Sequence, residues 1–78
     1  MYQYYIIEIQ RFFNGEYAHL VHYAYDEDDT IARQKAESKY YEVLSAAAVS
    51  DTAMHSVTLI NAYGISRKND CYTHTQRG

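Results

Sequence analysis

A chain of 78 residues with a net charge of -3, one cysteine and no proline is one domain at most, and at this size folding buries only roughly 60% of the surface that the unfolded chain exposes. The lone Cys71 excludes a disulfide framework and fits a reducing cytoplasm. No stretch approaches the roughly 18 apolar residues of a membrane span, so self-association is the remaining way to add buried area, and a homo-oligomer is expected.

Charge is uneven along the chain. Residues 1 to 30 hold six acids against Arg11, while residues 31 to 78 hold six bases against four acids. Net acidity argues against nonspecific nucleic-acid binding, but the second half stays open to an anionic partner. Met1 to Arg11 lacks a basic leader and carries Glu8 inside its apolar run, so it reads as a strand and not as a signal peptide.

Ten residues are tyrosine, and they crowd the first two predicted strands, Tyr2 to Phe13 and Tyr17 to Tyr25. Between these strands lies Asn14-Gly15, the dipeptide that most readily supplies the two positive φ angles of a type I′ hairpin turn. Such a turn pairs Phe13 with Glu16, Ile9 with Leu20, Tyr5 with Ala24 and Tyr4 with Tyr25. One face then carries Tyr5, Ile7, Ile9, Arg11 and Phe13 with Ala18, Leu20, His22 and Ala24, and is the face expected beneath a helix. The other carries Tyr4, Ile6, Glu8, Gln10 and Phe12 with Tyr17, His19, Val21, Tyr23 and Tyr25. It is aromatic and polar together, which suits a contact surface better than a dry core or plain solvent.

Asp26 to Asp29 places carboxylates where a helix start wants a cap and a negative first turn. Ile31, Ala32, Ala36, Tyr40, Val43, Leu44 and Ala47 then recur at three- and four-residue spacing, predicting about 20 residues of helix that stops at Ser50 to Thr52. Arg33, Lys35, Glu37, Lys39 and Glu42 form its solvated side, where Arg33 and Glu37 stand at pairing distance. Met54 to Ala62 reads as a third strand, Asn61 to Gly64 as a turn, and Ile65 to His74 as a fourth, more polar strand, with residues 75 to 78 frayed. The fold class is α+β: a single ββαββ domain over residues 1 to 78, with an antiparallel sheet in the order 2-1-3-4 and one helix on one face.

Chemistry-bearing constellations are sparse. His19 and His22 point to opposite faces of a strand and cannot chelate one ion. His55 and His74 have no acidic partner in the pattern, and Cys71 with His74 makes only half a zinc site. Asp26-Glu27-Asp28-Asp29 has the letters of an exonuclease class whose acids come from separate segments, so capping accounts for it better. No nucleophile elbow and no phosphate loop are present, and no metal or cofactor is expected. Arg67 and Lys68 follow the Gly64 turn, where they either protect a sheet edge by charge or contact an anion beside the tyrosine face, as basic groups do beside stacked bases.

The segments YYIIEIQ (Tyr4 to Gln10), NGEYAHLVHYAYD (Asn14 to Asp26) and KAESKYYEVLSAAAVSDTA (Lys35 to Ala53), with CYTH (Cys71 to His74), resemble a set of small proteins encoded by phages and prophages of gut Firmicutes. The resemblance covers about the first two thirds of the chain. It implies a phage accessory protein in a bacterial cytoplasm and transfers no functional residues. The leading expectation is a noncatalytic, homo-oligomeric binding protein that counters host defence by occluding a defence protein or sequestering a nucleotide signal. Tyr4, Tyr17, Tyr23 and Tyr25 would supply stacking or hot-spot contacts, Gln10 and His19 hydrogen bonds, and Arg67 and Lys68 anion contacts. The alternative is a structural component of a phage particle or packaging apparatus.

Overall fold

The structure, a computed structural model, describes residues 1–75, so most of the stretch expected to fray, residues 76 to 78, lies outside the described residues. Its elements are β1 (Tyr2–Arg11), β2 (Tyr17–Asp26), α1 (Asp29–Ala48), β3 (Met54–Ile60) and β4 (Ser66–Thr73). The strands form one antiparallel sheet in the order β2-β1-β3-β4, and α1 covers one face. A hairpin, a helix that carries the chain back, and a second hairpin give this order because β3 can then add beside β1 without crossing a connection.

Both hairpins turn in the same way, and not as a two-residue turn. In the first, the Gly15 amide donates to the Phe12 carbonyl at 3.0 Å and the Phe12 amide donates to the Glu16 carbonyl at 2.8 Å. In the second, Gly64 donates to Asn61 and Asn61 donates to Ile65, both at 3.0 Å. Gly15 (φ 89°) and Gly64 (φ 79°) are left-handed, and no non-glycine residue among those described has positive φ. This is a type I turn closed by a left-handed glycine, and it takes one residue more than a type I′ turn.

That extra residue moves the register by one. Ile9 pairs with His19, Tyr5 with Tyr23 and Tyr4 with Ala24, instead of Leu20, Ala24 and Tyr25. Strand side chains alternate between faces, so a one-residue slip exchanges the faces of β1 against β2. The helix side therefore gathers Tyr4, Ile6 and Glu8 from β1 with His22 and Ala24 from β2, and Tyr5, Ile7 and Ile9 lie on the open side.

Replacing Gly15 by alanine should destabilise the fold by about 1 kcal/mol, because an L side chain at this φ crowds its own carbonyl. Nothing lies within 4 Å of where the Cβ would stand, so the loss is conformational and not a clash. A urea midpoint that falls for Gly15→Ala and partly recovers for Gly15→Asn checks it.

The helix begins as its acids predict: the Asp28 carboxylate accepts from the amides of Thr30 (2.8 Å) and Ile31 (3.3 Å). Lys35 ties the start to the end of β2 through Asp26 at 2.9 Å, while no Arg33–Glu37 ion pair forms among the described residues. Ala32, Ala36 and Ala47 are fully buried, so small residues bring the helix axis close to the sheet. The core is completed by Tyr4, Ile6, Ala24, Tyr40, Val43, Val57 and Leu59.

Candidate functional site

Three features of the fold bear on function: the uncovered face of the sheet, a cleft between the helix start and the β3–β4 hairpin, and a buried carboxylate held by two histidines.

The open face carries Tyr5, Ile7 and Ile9 from β1, with Tyr17, His19, Val21, Tyr23 and Tyr25 from β2 and Met54, Ser56, Thr58 and Ile60 from β3. Tyr5 and Tyr23 stack edge to face with centroids 5.6 Å apart. Tyr17, Tyr23 and Tyr25 are more than half exposed. Of the face proposed from the sequence, the β2 half is in place: Tyr17, His19, Tyr23 and Tyr25 share it. The β1 half is corrected by the register. Tyr4 is buried and Gln10 lies opposite His55 on the helix side, so neither belongs to the tyrosine face. Arg11, at one end, is the formal charge that β1, β2 and β3 place on this side of the sheet.

Tyr4 instead joins Arg67 and Lys68 at a cleft of about 300 Å³. Its hydroxyl donates to Asp29 Oδ1 at 2.7 Å. That bond to a carboxylate, with burial, pushes the phenol up to about 12. Arg33 enters from the helix and Asn61 and Tyr63 from the hairpin. Consecutive strand residues should point to opposite faces, yet Arg67 and Lys68 both line the cleft. The cause is a β-bulge: Leu59 pairs with Lys68 and Ile60 with Ser66, leaving Arg67 without a cross-strand partner, and bulges re-aim side chains in this way. Lys68 is further positioned by the Tyr41 ring, 5.6 Å from its Nζ.

No family model, curated protein or solved structure matches the chain. The site is therefore read from its own geometry.

The third feature, the buried carboxylate, joins residues far apart in the chain. Glu8, which the sequence places on the tyrosine-rich contact face, is instead buried on the helix side, with Oε1 2.8 Å from His55 Nε2 and Oε2 against His22 Nε2. His55 thus has the acidic partner that the sequence pattern did not show, 47 residues away. Burial pushes the Glu8 carboxyl up, but the two imidazole hydrogen bonds outweigh it and hold the group below its ordinary value. The far nitrogen of His55 lies 3.0 Å from Ser50 Oγ. That gives the order carboxylate, imidazole, hydroxyl found in hydrolases, but the Ser50 hydroxyl donates to the Ala47 carbonyl at 3.0 Å and meets Thr52 Oγ1 at 2.9 Å. Its proton is directed at the helix end, so the chain reads as a clamp joining β1, β2, β3 and α1. Among the described residues no group of three or more His, Cys, Asp or Glu is arranged to hold a metal, and no helix is long and apolar enough to cross a membrane.

Proposed function

We propose that this protein acts by binding: it pairs with a second copy through the open face of its sheet and presents the helix side, with its cleft, to a partner. The observation that carries this reading is the open face itself, where tyrosine and aliphatic side chains lie among uncharged polar ones such as Ser56 and Thr58, and β1, β2 and β3 contribute one formal charge, Arg11, in a chain that is 22% charged. A sheet face of that composition is ordinarily covered by another layer, and depletion of charge with enrichment in tyrosine marks interface cores.

The dimensions support a second copy as the cover. Four strands at about 4.8 Å spacing, with about eight residues each at about 3.3 Å rise, present a face on the order of 500 Å². Two such faces stacked remove about 1,000 Å², the lower bound for a specific interface. Arg11 stands at the end of β1, so a two-fold axis running across the strands sets the two arginines at opposite ends of the stack. In the phage setting that the resemblance implies, such a dimer in the bacterial cytoplasm would counter host defence by withholding a ligand or covering a defence protein.

Native mass against concentration tests the association. The wild type should run at double the 9.1 kDa chain mass, and Val21→Glu, which places a carboxylate mid-face on an edge strand, should run as a folded monomer with unchanged helical content. Tyr23→Ala should weaken the dimer roughly tenfold. A wild type that stays monomeric at high concentration overturns the dimer; a mass that climbs without limit would favour a structural role in a particle.

A further inference from the structure

The geometry points to the cleft between the start of α1 and the β3–β4 hairpin as a binding site for a nucleoside phosphate, with the phosphate among Arg33, Arg67 and Lys68 and the base on Tyr63. This rests on the reading of a binding protein, though not on its self-association.

Three observations converge. The first is charge without partners: no carboxylate lies within ion-pair distance of Arg33, Arg67 or Lys68 among the described residues, although Asp29 and Glu37 line the same cleft. Unpaired guanidinium groups facing one cavity are the arrangement that a phosphate completes, two of its oxygens accepting parallel hydrogen bonds from one guanidinium. The second is the bulge at Arg67. A regular strand would send Arg67 to the opposite face from Lys68; the extra residue brings both to one cleft, and bulges recur beside functional sites for this reason. Edge protection alone requires no such convergence.

The third is the fit of the uncharged groups. Asn61 Oδ1 accepts from the amides of Tyr63 and Ile65, each at 2.9 Å, which fixes the side chain and leaves its NH₂ as the group available to a ligand acceptor. Tyr63 is 69% exposed, yet its ring is held by an edge contact with Tyr2 at 6.4 Å. It offers a free π face beside the cations, the pairing of stacking and charge that holds nucleotides. Asp29 has one oxygen engaged by Tyr4 and a second free to accept from a sugar hydroxyl. A volume of about 300 Å³ is at the small end of ligand pockets, which suits one nucleotide unit and not a strand.

The test is a titration of the ¹⁵N-labelled protein with AMP, GMP, adenosine and inorganic phosphate, followed by amide shifts. The nucleotides should give saturable shifts at residues 61 to 68 and around Arg33, with adenosine and phosphate each at least about tenfold weaker. Arg67→Gln should raise the nucleotide Kd about tenfold or more, Tyr63→Ala should raise it about fivefold or more, and affinity should fall with salt. Val21→Glu, if monomeric, should bind as the wild type does, so loss of the dimer and loss of the ligand are read separately. No saturable shift with either nucleotide overturns the site. So does equal binding by inorganic phosphate, or a Kd unchanged in both Arg67→Gln and Arg33→Gln.

Discussion

Tyr40→Ala should be among the most damaging single substitutions in this protein, with a loss of about 4 kcal/mol. Tyr40 is the largest side chain with no solvent exposure, and it stands mid-helix between the alanines that bring α1 against the sheet. Its hydroxyl donates to Asp70 on β4. Burial, then that hydrogen bond, pushes its phenol well above the ordinary tyrosine value, so it stays a donor throughout the working pH range. Tyr40→Phe separates the two contributions. It keeps the ring and forfeits one hydrogen bond to a carboxylate on an exposed edge strand, so a loss of about 1 to 2 kcal/mol is expected. Urea unfolding of both variants decides the matter: a Phe variant as unstable as the Ala variant would mean that the bond to β4, and not the packed ring, holds the helix down. In a domain whose whole stability is about 4 to 12 kcal/mol, a loss of that size removes between a third and all of it.

The strand order was legible because it depends on features that the sequence displays openly: two apolar runs around Asn14-Gly15, a capped helix with alanine and tyrosine at helical spacing, and two weaker runs around Gly64. The face assignment depended on something finer. Asn-Gly serves both a type I′ turn, where both residues have positive φ, and a type I turn in which only the glycine does, and the two differ by one residue of register. Because β1 is apolar on both faces, with Tyr4 and Ile6 on one and Tyr5, Ile7 and Ile9 on the other, the hydrophobic pattern could not choose between them. Glu8 discriminates only through burial: the observed register, where Ile6 pairs with His22 and Glu8 with Leu20, sets it diagonal to His22 under the helix, while the type I′ register sets it diagonal to His19 on the open face, and a histidine partner is on offer in both. The cleft was half legible. Arg67 and Lys68 stood out by charge, but Arg33, Asn61 and Tyr63 are joined to them only by tertiary structure, and the bulge that turns Arg67 inward leaves no mark in composition.

Removing the Glu8 carboxylate should be nearly as damaging as losing Tyr40, for a different reason. Glu8→Ala leaves the buried His55 and the half-buried His22 without their acceptor, and with each unsatisfied buried donor costing about 1 to 3 kcal/mol a total loss of about 3 kcal/mol is expected. Glu8→Gln keeps the shape, but its amide offers one acceptor oxygen where two imidazoles each found one, so it should recover only part of that. The pH dependence separates this from a packing defect. The folded-state Glu8 carboxyl lies below its ordinary value of 4.5, so between the two values the unfolded chain holds a proton that the folded chain does not, and stability rises with pH. The contribution is therefore fully present above the ordinary carboxylate range and is lost as pH falls through 4.5 toward the lowered folded value. Wild-type stability should drop across that acid window, and Glu8→Gln, which cannot titrate, should show a shallower drop from a lower starting point. Parallel curves for the two proteins would mean that Glu8 is not ionised between its histidines in the fold.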